Sequence, residues 1–355
     1  SLPPSSSTSP ISVFILAMIM SSPTMPTAQK KALFTLASIA LGIYAQLHKA
    51  HITAPVFDPI LASCTGDDTV AGVELRPYEA AAGLGVFTPI VCTVTQFMYQ
   101  LRDIYPGGYI TWGLAVVGVL PLAVIATIEG GAAGAWGPIR YPICMGIVHQ
   151  LLGMSVSLPL FWFPSYIWGR GDGPASAWRV FMSIPVSLPA IIFSIAVFTV
   201  NVDSFVWRLS AGVLGGPALA LVSGYLLSYD TPPCEKSKDA VTEYFDASIA
   251  TYRLVTKISL AGYAGIAYLA YISYGVDVSA MWRDIFTEAN ASVAFLTIDY
   301  ILIQVSVIFG YVAYRSWFEA VRAAILLPIV GPAAVSMAME RIELASYTKH
   351  RTKMV

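Results

Sequence analysis

Apolar stretches long enough to cross a bilayer fill this chain from Lys31 to Met339 and leave little room for any other kind of structure. A membrane-crossing helix needs about 20 mainly apolar residues, and the chain holds eight or nine stretches of this kind. Lipid offers no hydrogen bonds to exposed backbone groups, so such segments fold as helices. The sequence therefore predicts an all-α fold, a polytopic membrane helical bundle with eight or nine transmembrane segments.

The composition fits a single membrane domain. Of 355 residues, 56% are hydrophobic and 12% are charged, whereas soluble domains carry about 25% charged residues. We expect a disordered or interfacial leader over residues 1–30, a single transmembrane helical domain over 31–340 and a basic C-terminal tail over 341–355. The net charge of −1 and the scattered Lys and Arg residues argue against a nucleic-acid partner.

Tyr and Trp residues cluster at the ends of the apolar stretches, as they do at membrane interfaces. The nine candidate spans are Lys31–Leu47, Glu79–Leu101, Tyr109–Ile128, Tyr141–Phe163, Trp178–Val200, Phe205–Leu227, Tyr252–Ser273, Val293–Tyr314 and Val321–Met339.

The distribution of Lys and Arg between alternate loops places the N-terminus in the cytoplasm, because cytoplasmic loops are enriched in these residues. The basic tail, with Lys349 and Arg351, contradicts this topology if all nine segments cross. Pro328, Gly331 and Pro332 interrupt the last candidate span. They favour a kink or a re-entrant turn there, so eight and nine crossings both remain open.

The four cysteines have no spacing typical of a metal site. Cys92 and Cys144 fall inside candidate spans, and the loops of Cys64 and Cys234 are expected on opposite faces of the membrane. No structural disulfide is therefore expected.

Two carboxyl groups in apolar surroundings are candidates for catalysis. Asp299 lies almost two turns inside the eighth span, where a charged Asp costs on the order of 2.5–3.5 kcal/mol. Burial disfavours the charged form, so Asp299 is expected to keep its proton and to serve as a proton donor. Glu129 ends the third span, where it either acts in catalysis or reaches the interface, with Arg140 as its expected partner.

Polar and aromatic residues elsewhere in the spans are candidates to tune the acid or to bind substrate. An apolar, aromatic chamber with one neutral acid is what a carbocation cascade requires, since aromatic faces attract cations. These candidates are His149, Gln150, Arg140, Tyr300, Gln96, Tyr268, Tyr271 and Trp162.

No motif for metal or cofactor binding is present. The chain has no Asp-rich magnesium motif, P-loop, GxSxG, HExxH or His-rich box. A lone His149 without a second His or Cys at helical spacing is a poor metal ligand. We therefore expect no metal and no cofactor.

Three short motifs resemble a known family. They are Ile128-Glu129-Gly130, Thr297-Ile298-Asp299-Tyr300, and Val330-Gly331-Pro332-Ala333 leading to Met339-Glu340-Arg341. With the span pattern and the length, they resemble the fungal membrane terpene cyclases of meroterpenoid pathways, of the ascochlorin, ascofuranone and macrophorin type. The resemblance implies a metal-independent cyclase that protonates a terminal epoxide or olefin of a farnesylated phenolic substrate. Which of the two carboxyl groups is the acid stays open.

The expected partners are a lipophilic prenylated small molecule and membrane lipids, and the expected location is a multi-pass position in the endoplasmic reticulum membrane. A proton-coupled transporter is one alternative, because broken helices around a buried Asp also form transport sites. A membrane prenyltransferase is another, although the missing Asp-rich motifs argue against it. A receptor or scaffold is a third, although short loops leave little surface for partners.

Overall fold

The computed structural model describes residues 27–65, 88–171, 173–215, 218–228, 238–286 and 291–352. Across these ranges the chain is helical, and the prediction of an all-α fold is confirmed. Outside them lie most of the predicted leader, residues 1–26, and also Cys234.

The described ranges contain fifteen α-helices, which we number in chain order. They are α1 (Thr27–Thr65), α2 (Thr88–Asp103), α3 (Gly107–Gly130), α4 (Pro142–Leu152), α5 (Met154–Ser157), α6 (Phe163–Gly169), α7 (Ala177–Met182), α8 (Leu188–Thr199), α9 (Phe205–Gly215), α10 (Ala218–Ser228), α11 (Lys238–Tyr274), α12 (Val278–Ile285), α13 (Ala291–Val307), α14 (Trp317–Val330) and α15 (Ala333–Thr352). A π-helical turn joins α5 to α6 (Leu158–Trp162), and a second one extends α13 (Ile308–Ala313).

Within the described residues, three helices are long and apolar enough to cross a membrane. They span Gly107–Gly130, Val241–Tyr274 and Ala291–Ala313, with mean hydropathies of 2.1, 1.2 and 2.0. The prediction of eight or nine crossing segments is not confirmed, because several other candidate spans are interrupted within the apolar stretch.

Two hydrophobic cores occupy opposite ends of the bundle. One core contains Phe34, Ile128 and Tyr311. Its end of the molecule carries Lys30, Lys31, Arg170 and Arg315, and we call it the basic end. The other core contains Ile60, Tyr99, Trp207 and Val293, and we call its end the disulfide end, because Cys64 packs against it. Helix α3 runs from the second core to the first.

The fourth candidate span, Tyr141–Phe163, is a helical hairpin whose two limbs start and finish at the basic end. The backbone N–H of Trp136 donates to the carbonyl of Gly169 at 2.9 Å, which places the two limb ends side by side. Gly153, with φ of 78°, ends α4 and reverses the chain, as glycine does where a positive φ is required. The return limb, 154–169, is about 24 Å long, so the tip lies deep in the bundle.

A second hairpin is formed by α14 and α15, with Gly331 at its tip and φ of 59°. Arg315, just before α14, pairs with Glu343 in α15 at 2.5 Å, so both limbs end at the basic end. The kink or re-entrant turn expected at Pro328 and Gly331 is therefore a full reversal. The predicted basic tail continues α15 as far as Thr352 and lies on the same side as Lys30.

The expectation that the chain has no structural disulfide is wrong, since Cys64 and Cys92 are bonded. Helix α1 continues to Thr65, far beyond the predicted end of the first span at Leu47. This extra length brings Cys64 to the first turns of α2, where Cys92 lies. The bond fastens two neighbouring helices at the disulfide end.

Replacing Cys64 by Ser is expected to lower the melting temperature of the purified protein, because loss of a native disulfide commonly costs about 2–5 kcal/mol.

A labelling experiment tests the bond directly. In a variant whose Cys144 and Cys234 are replaced by Ser, Cys64 and Cys92 should resist PEG-maleimide until a reductant is added. Gel mobility under denaturing conditions reports the labelling. Rapid modification of both thiols without a reductant would contradict the bond.

Candidate active site

A cavity of about 900 Å³ lies between the two cores. This volume is near the upper end of the range for small-molecule sites. Most side chains that line it are aliphatic or aromatic. They include Leu61, Ile90, Val94, Phe97, Met98, Trp112, Val116, Val119, Met154, Ile191, Phe295, Leu296 and Ile303, with Gln46, Asp58, Thr93, His149, Ser194 and Asp299 as the polar or charged members.

Asp299 faces this cavity from the middle of α13. The hydroxyl of Ser155 donates a short hydrogen bond to Oδ1 of Asp299. Ser155 is fully buried on the short helix α5, immediately after the reversal at Gly153. The tip of the first hairpin therefore supplies a hydrogen-bond donor to Asp299, one of the two carboxyl groups that the sequence selected as candidate acids.

His149 lines the same cavity from the last turn of α4. Its Nδ1 lies within hydrogen-bond distance of the Ser157 hydroxyl, and that hydroxyl donates its only proton to the carbonyl of Gly153 at 2.6 Å. Nδ1 must therefore be the donor to Ser157. A neutral imidazole in this tautomer keeps a lone pair on Nε2, which is a proton acceptor.

The site thus combines a carboxyl group, a hydroxyl donor and an imidazole in a mainly apolar chamber. Ser155 stabilises the carboxylate that remains if Asp299 gives up a proton, because a donor to the charged form favours it. The rings of Phe97, Trp112 and Phe295 are available to stabilise a cation by cation–π attraction. Geometry of this kind suits acid-initiated chemistry on an apolar ligand.

Glu129 does not line the cavity, and its environment is unsuited to an acid. Its Oε2 accepts from Arg170 Nε at 2.8 Å and from the Tyr166 hydroxyl at 3.1 Å, while Oε1 accepts from Arg315 at 2.7 Å. Two guanidinium groups hold this carboxyl group in its charged form. Its place in an ion-pair network rather than on the cavity wall argues against Glu129 as the proton donor.

Arg315 bridges Glu129 to Glu343, whose side chain is 2% exposed. We call Glu129, Arg170, Arg315 and Glu343 the ionic cluster. Two carboxylates balance two guanidinium groups in it, and Glu129 raises the pKa of Arg170 above its ordinary value, although burial opposes the shift. The cluster joins α3 to the bases of both hairpins.

Several other residues that the sequence selected lie away from the cavity. Tyr268 and Tyr271 are 66% and 60% exposed on α11, so they lie on the outer surface of the bundle. The ring of Tyr300 packs close to Gly118 of α3 rather than into the cavity. These three tyrosines occupy helix faces that look outward or toward a neighbouring helix.

The remaining selected residues have local roles. Trp162 is buried and donates its indole N–H to the Tyr311 hydroxyl, with its ring centroid 6.3 Å from that of His149. Gln96 is buried but does not line the cavity. The carbonyl of Arg140 accepts from Arg179 at 2.9 Å, and the ion pairs of Glu129 are with Arg170 and Arg315. Gln150 lies in α4, and its side chain is outside the described part of the structure.

Sequence reasoning missed Ser155, Ser157 and the cations of the ionic cluster. Gly153 followed by Ser155 and Ser157 in the middle of a candidate span was the available signal, since small polar residues often satisfy a broken helix. Arg170 and Arg315 are far from Glu129 in sequence, and no local pattern connects them.

Within the described ranges, no three His, Cys, Asp or Glu side chains come together as a metal site. Comparisons with protein-family models, with curated proteins and with solved structures find no match to the chain. The function of the protein is therefore inferred from the geometry of the cavity.

Glu129→Gln is expected to lower the free energy of unfolding by about 3–5 kcal/mol, because it takes the ion-pair partner from Arg170 and leaves Arg315 with Glu343 alone. Glu340→Gln is the matched control. It removes an ion pair whose Arg253 partner is 58% exposed, and such pairs are worth about 0–1 kcal/mol. Thermal unfolding in detergent measures both. A Glu129→Gln protein with unchanged stability and no catalytic product would restore Glu129 as the acid.

Proposed function

We propose that the protein is a metal-independent terpene cyclase of the fungal meroterpenoid type, which protonates a terminal epoxide or olefin of a farnesylated phenolic substrate. The observation that carries this proposal is a mainly apolar cavity of about 900 Å³ with Asp299, held by the Ser155 hydroxyl, on its wall. A cavity of this size suits a prenylated aromatic molecule.

In this mechanism the Asp299 carboxyl group donates its proton to the epoxide oxygen or to the terminal alkene carbon. Epoxide opening breaks the C–O bond as the π electrons of the next alkene form a C–C bond, and the positive charge moves along the chain. The resulting Asp299 carboxylate keeps the hydrogen bond from Ser155. Loss of a proton from the final cation restores neutrality and completes an isomerisation.

The same surroundings control the cation after it forms. The rings of Phe97, Trp112 and Phe295 line the chamber and stabilise positive charge at a distance from nucleophiles. His149 also lines the cavity, and in this proposal its Nε2, which is free of the Ser157 hydrogen bond, takes the final proton. A substrate that fills the cavity would displace water from its apolar walls, which limits capture of the cation as an alcohol.

We propose that the bundle lies in the endoplasmic reticulum membrane as a multi-pass protein. Helices α1, α3, α11 and α13 would each cross, and the pairs α7–α8 and α9–α10 would each form one interrupted crossing. The two hairpins would enter and leave from the basic end. The positive-inside rule assigns the basic end to the cytoplasm, and the Cys64–Cys92 bond suits an oxidising lumen at the other end.

This placement removes the conflict over the basic tail. With six crossings, both α1 and α15 have their outer ends on the cytoplasmic side, together with Lys30, Arg170 and Arg315. Two independent chemical signals, the cations at one end and the disulfide at the other, support the same orientation.

Asp299→Asn is expected to reduce product formation by about 10²–10⁴-fold, the usual contribution of a general acid. Microsomes given a farnesylated phenol epoxide in the presence of EDTA, analysed by mass spectrometry, provide the measurement. Asp284→Asn is the control. The Asp284 carboxyl group lies away from the cavity and accepts a hydrogen bond from the Tyr274 hydroxyl. Full activity of Asp299→Asn would end the assignment, and loss of wild-type product with EDTA would favour a magnesium-dependent prenyltransferase.

Ser155→Ala is expected to slow cyclisation by about tenfold or more, because a hydrogen bond to a charged group is worth about 1.5–3 kcal/mol. Ser306→Ala is the matched control, since Ser306 is also fully buried and its hydroxyl makes no hydrogen bond among the described residues. Initial rates in microsomes with equal protein levels compare the two. Equal rates would show that the hydroxyl does not assist the acid.

One observation favours a proton-coupled transporter as the second candidate. A re-entrant helical hairpin with a glycine tip beside a carboxyl group, here Gly153 near Asp299, is a common element of transport sites. Proteoliposomes with a pH-sensitive dye separate the two functions. Proton movement driven by a prenylated phenol, without chemical conversion of that compound, would support transport and exclude the cyclase.

A further inference from the structure

A second cavity of about 340 Å³ lies beside the first, between α3, α8 and α11. Its walls are almost entirely apolar, and none of the residues that line it is charged. The lining residues are Tyr109, Trp112, Gly113, Val116, Val117, Leu120, Ile191, Ser194, Ile195, Phe198, Thr199, Ile258, Ser259, Gly262 and Ile266.

Four residues line both cavities and form the partition between them: Trp112, Val116, Ile191 and Ser194. Trp112 is held in this partition by a hydrogen bond from its indole N–H to the carbonyl of Ser194 at 3.2 Å. The two cavities are therefore separated by a partition that is one side chain thick. Rotation of the Trp112 side chain would connect them.

The outer rim of the second cavity lies on the apolar surface of the bundle. Ile195 on α8 is 54% exposed and Ile258 on α11 is 42% exposed. Only 11% of the apolar window of α11 is buried, so this side of the molecule presents hydrocarbon side chains outward. In a membrane such a surface contacts lipid chains.

Glycines and one hydroxyl shape the interior of the second cavity. A Cβ atom at Gly262 would lie 2.7 Å from Cγ2 of Val117, so a larger residue there would have to displace that wall. Ser259 is fully buried, lines the cavity, and its Oγ has no hydrogen-bond partner among the described residues. An unpaired buried hydroxyl costs free energy.

We propose that the second cavity is a lateral portal through which an isoprenoid chain passes from the bilayer into the main cavity, with Trp112 as the gate. The uncharged, almost entirely apolar lining suits a hydrocarbon chain and offers nothing to an anionic lipid headgroup. The inference rests on the proposed function for the identity of the chain.

The test measures entry of a probe in the full-length protein in lipid nanodiscs. A diazirine-tagged farnesol is added, and photocrosslinking to the main cavity is followed over time by mass spectrometry. Ile195→Trp and Ile258→Trp, which narrow the rim, are expected to slow entry by about tenfold. Ile192→Trp on α8 (59% exposed) and Leu254→Trp on α11 (47% exposed) are matched controls, since neither side chain lines either cavity.

Entry that is slowed only by the two rim variants supports the portal. Equal entry rates in all four variants and the wild type would overturn it, and so would equal slowing in all four. Trp112→Ala provides a second measurement, because removal of the gate is expected to accelerate entry, and an unchanged rate counts against a gate at this residue.

Probe entry requires no turnover, so the two proposals fail separately. Slow entry in the rim variants of a protein that never converts a farnesylated phenol would keep the portal and reject the cyclase. Normal entry in rim variants of an active cyclase would reject the portal alone.

Discussion

The buried ionic cluster is the interaction on which the arrangement of the two hairpins depends. Removing two carboxylates and two guanidinium groups from water is costly, and the cost is offset only when all four meet with good geometry. Glu129 belongs to α3, Arg170 follows the first hairpin, and Arg315 and Glu343 flank the second. Withdrawal of either hairpin from the bundle would break one of the two ion pairs of Glu129. The cluster therefore holds both hairpins against the same helix.

Fixing the base of the first hairpin also fixes its tip. A broken helix inside an apolar bundle exposes backbone groups that must find partners in the protein. At Gly153 the carbonyl accepts from the Ser157 hydroxyl, and the amide donates to the carbonyl of His149. The same reversal turns Ser155 toward Asp299. The residues around the helix break, which satisfy its backbone hydrogen bonds, therefore also hold the polar groups of the cavity.

Individual residues show how far the sequence determined this structure. Asp299 could be selected because a carboxyl group near the middle of an apolar helix is visible in one window of sequence. The reversal at Gly331 was also visible, because Pro328 and Pro332 flank it. The reversal at Gly153 was hidden, since continuous hydropathy from Tyr141 to Phe163 resembles a single span. The position of such a reversal inside a membrane depends on side chains that contact the turn but are distant from it in sequence.

The cysteines and the tyrosines show the same limit. Cys64 appeared to lie in a loop because hydropathy falls after Leu47, yet α1 continues to Thr65 and meets Cys92. Tyr268 and Tyr271 lie on a helix whose neighbours the sequence does not reveal, and the face they occupy points outward. Helical periodicity identifies which residues share a face, but only packing decides whether that face meets a cavity or lipid.

Glu129 and Asp299 show how one fold places two carboxyl groups in different surroundings. Two guanidinium groups and a tyrosine hydroxyl surround Glu129, so its charge is neutralised in place and giving it a proton would break the cluster. Asp299 lies on the wall of the mainly apolar cavity and accepts a hydrogen bond from the neutral Ser155 hydroxyl, and no guanidinium group belongs to the described residues that line that cavity. These surroundings fit a structural role for Glu129, while Asp299, on the wall of the main cavity, is the carboxyl group that our proposal uses as the acid.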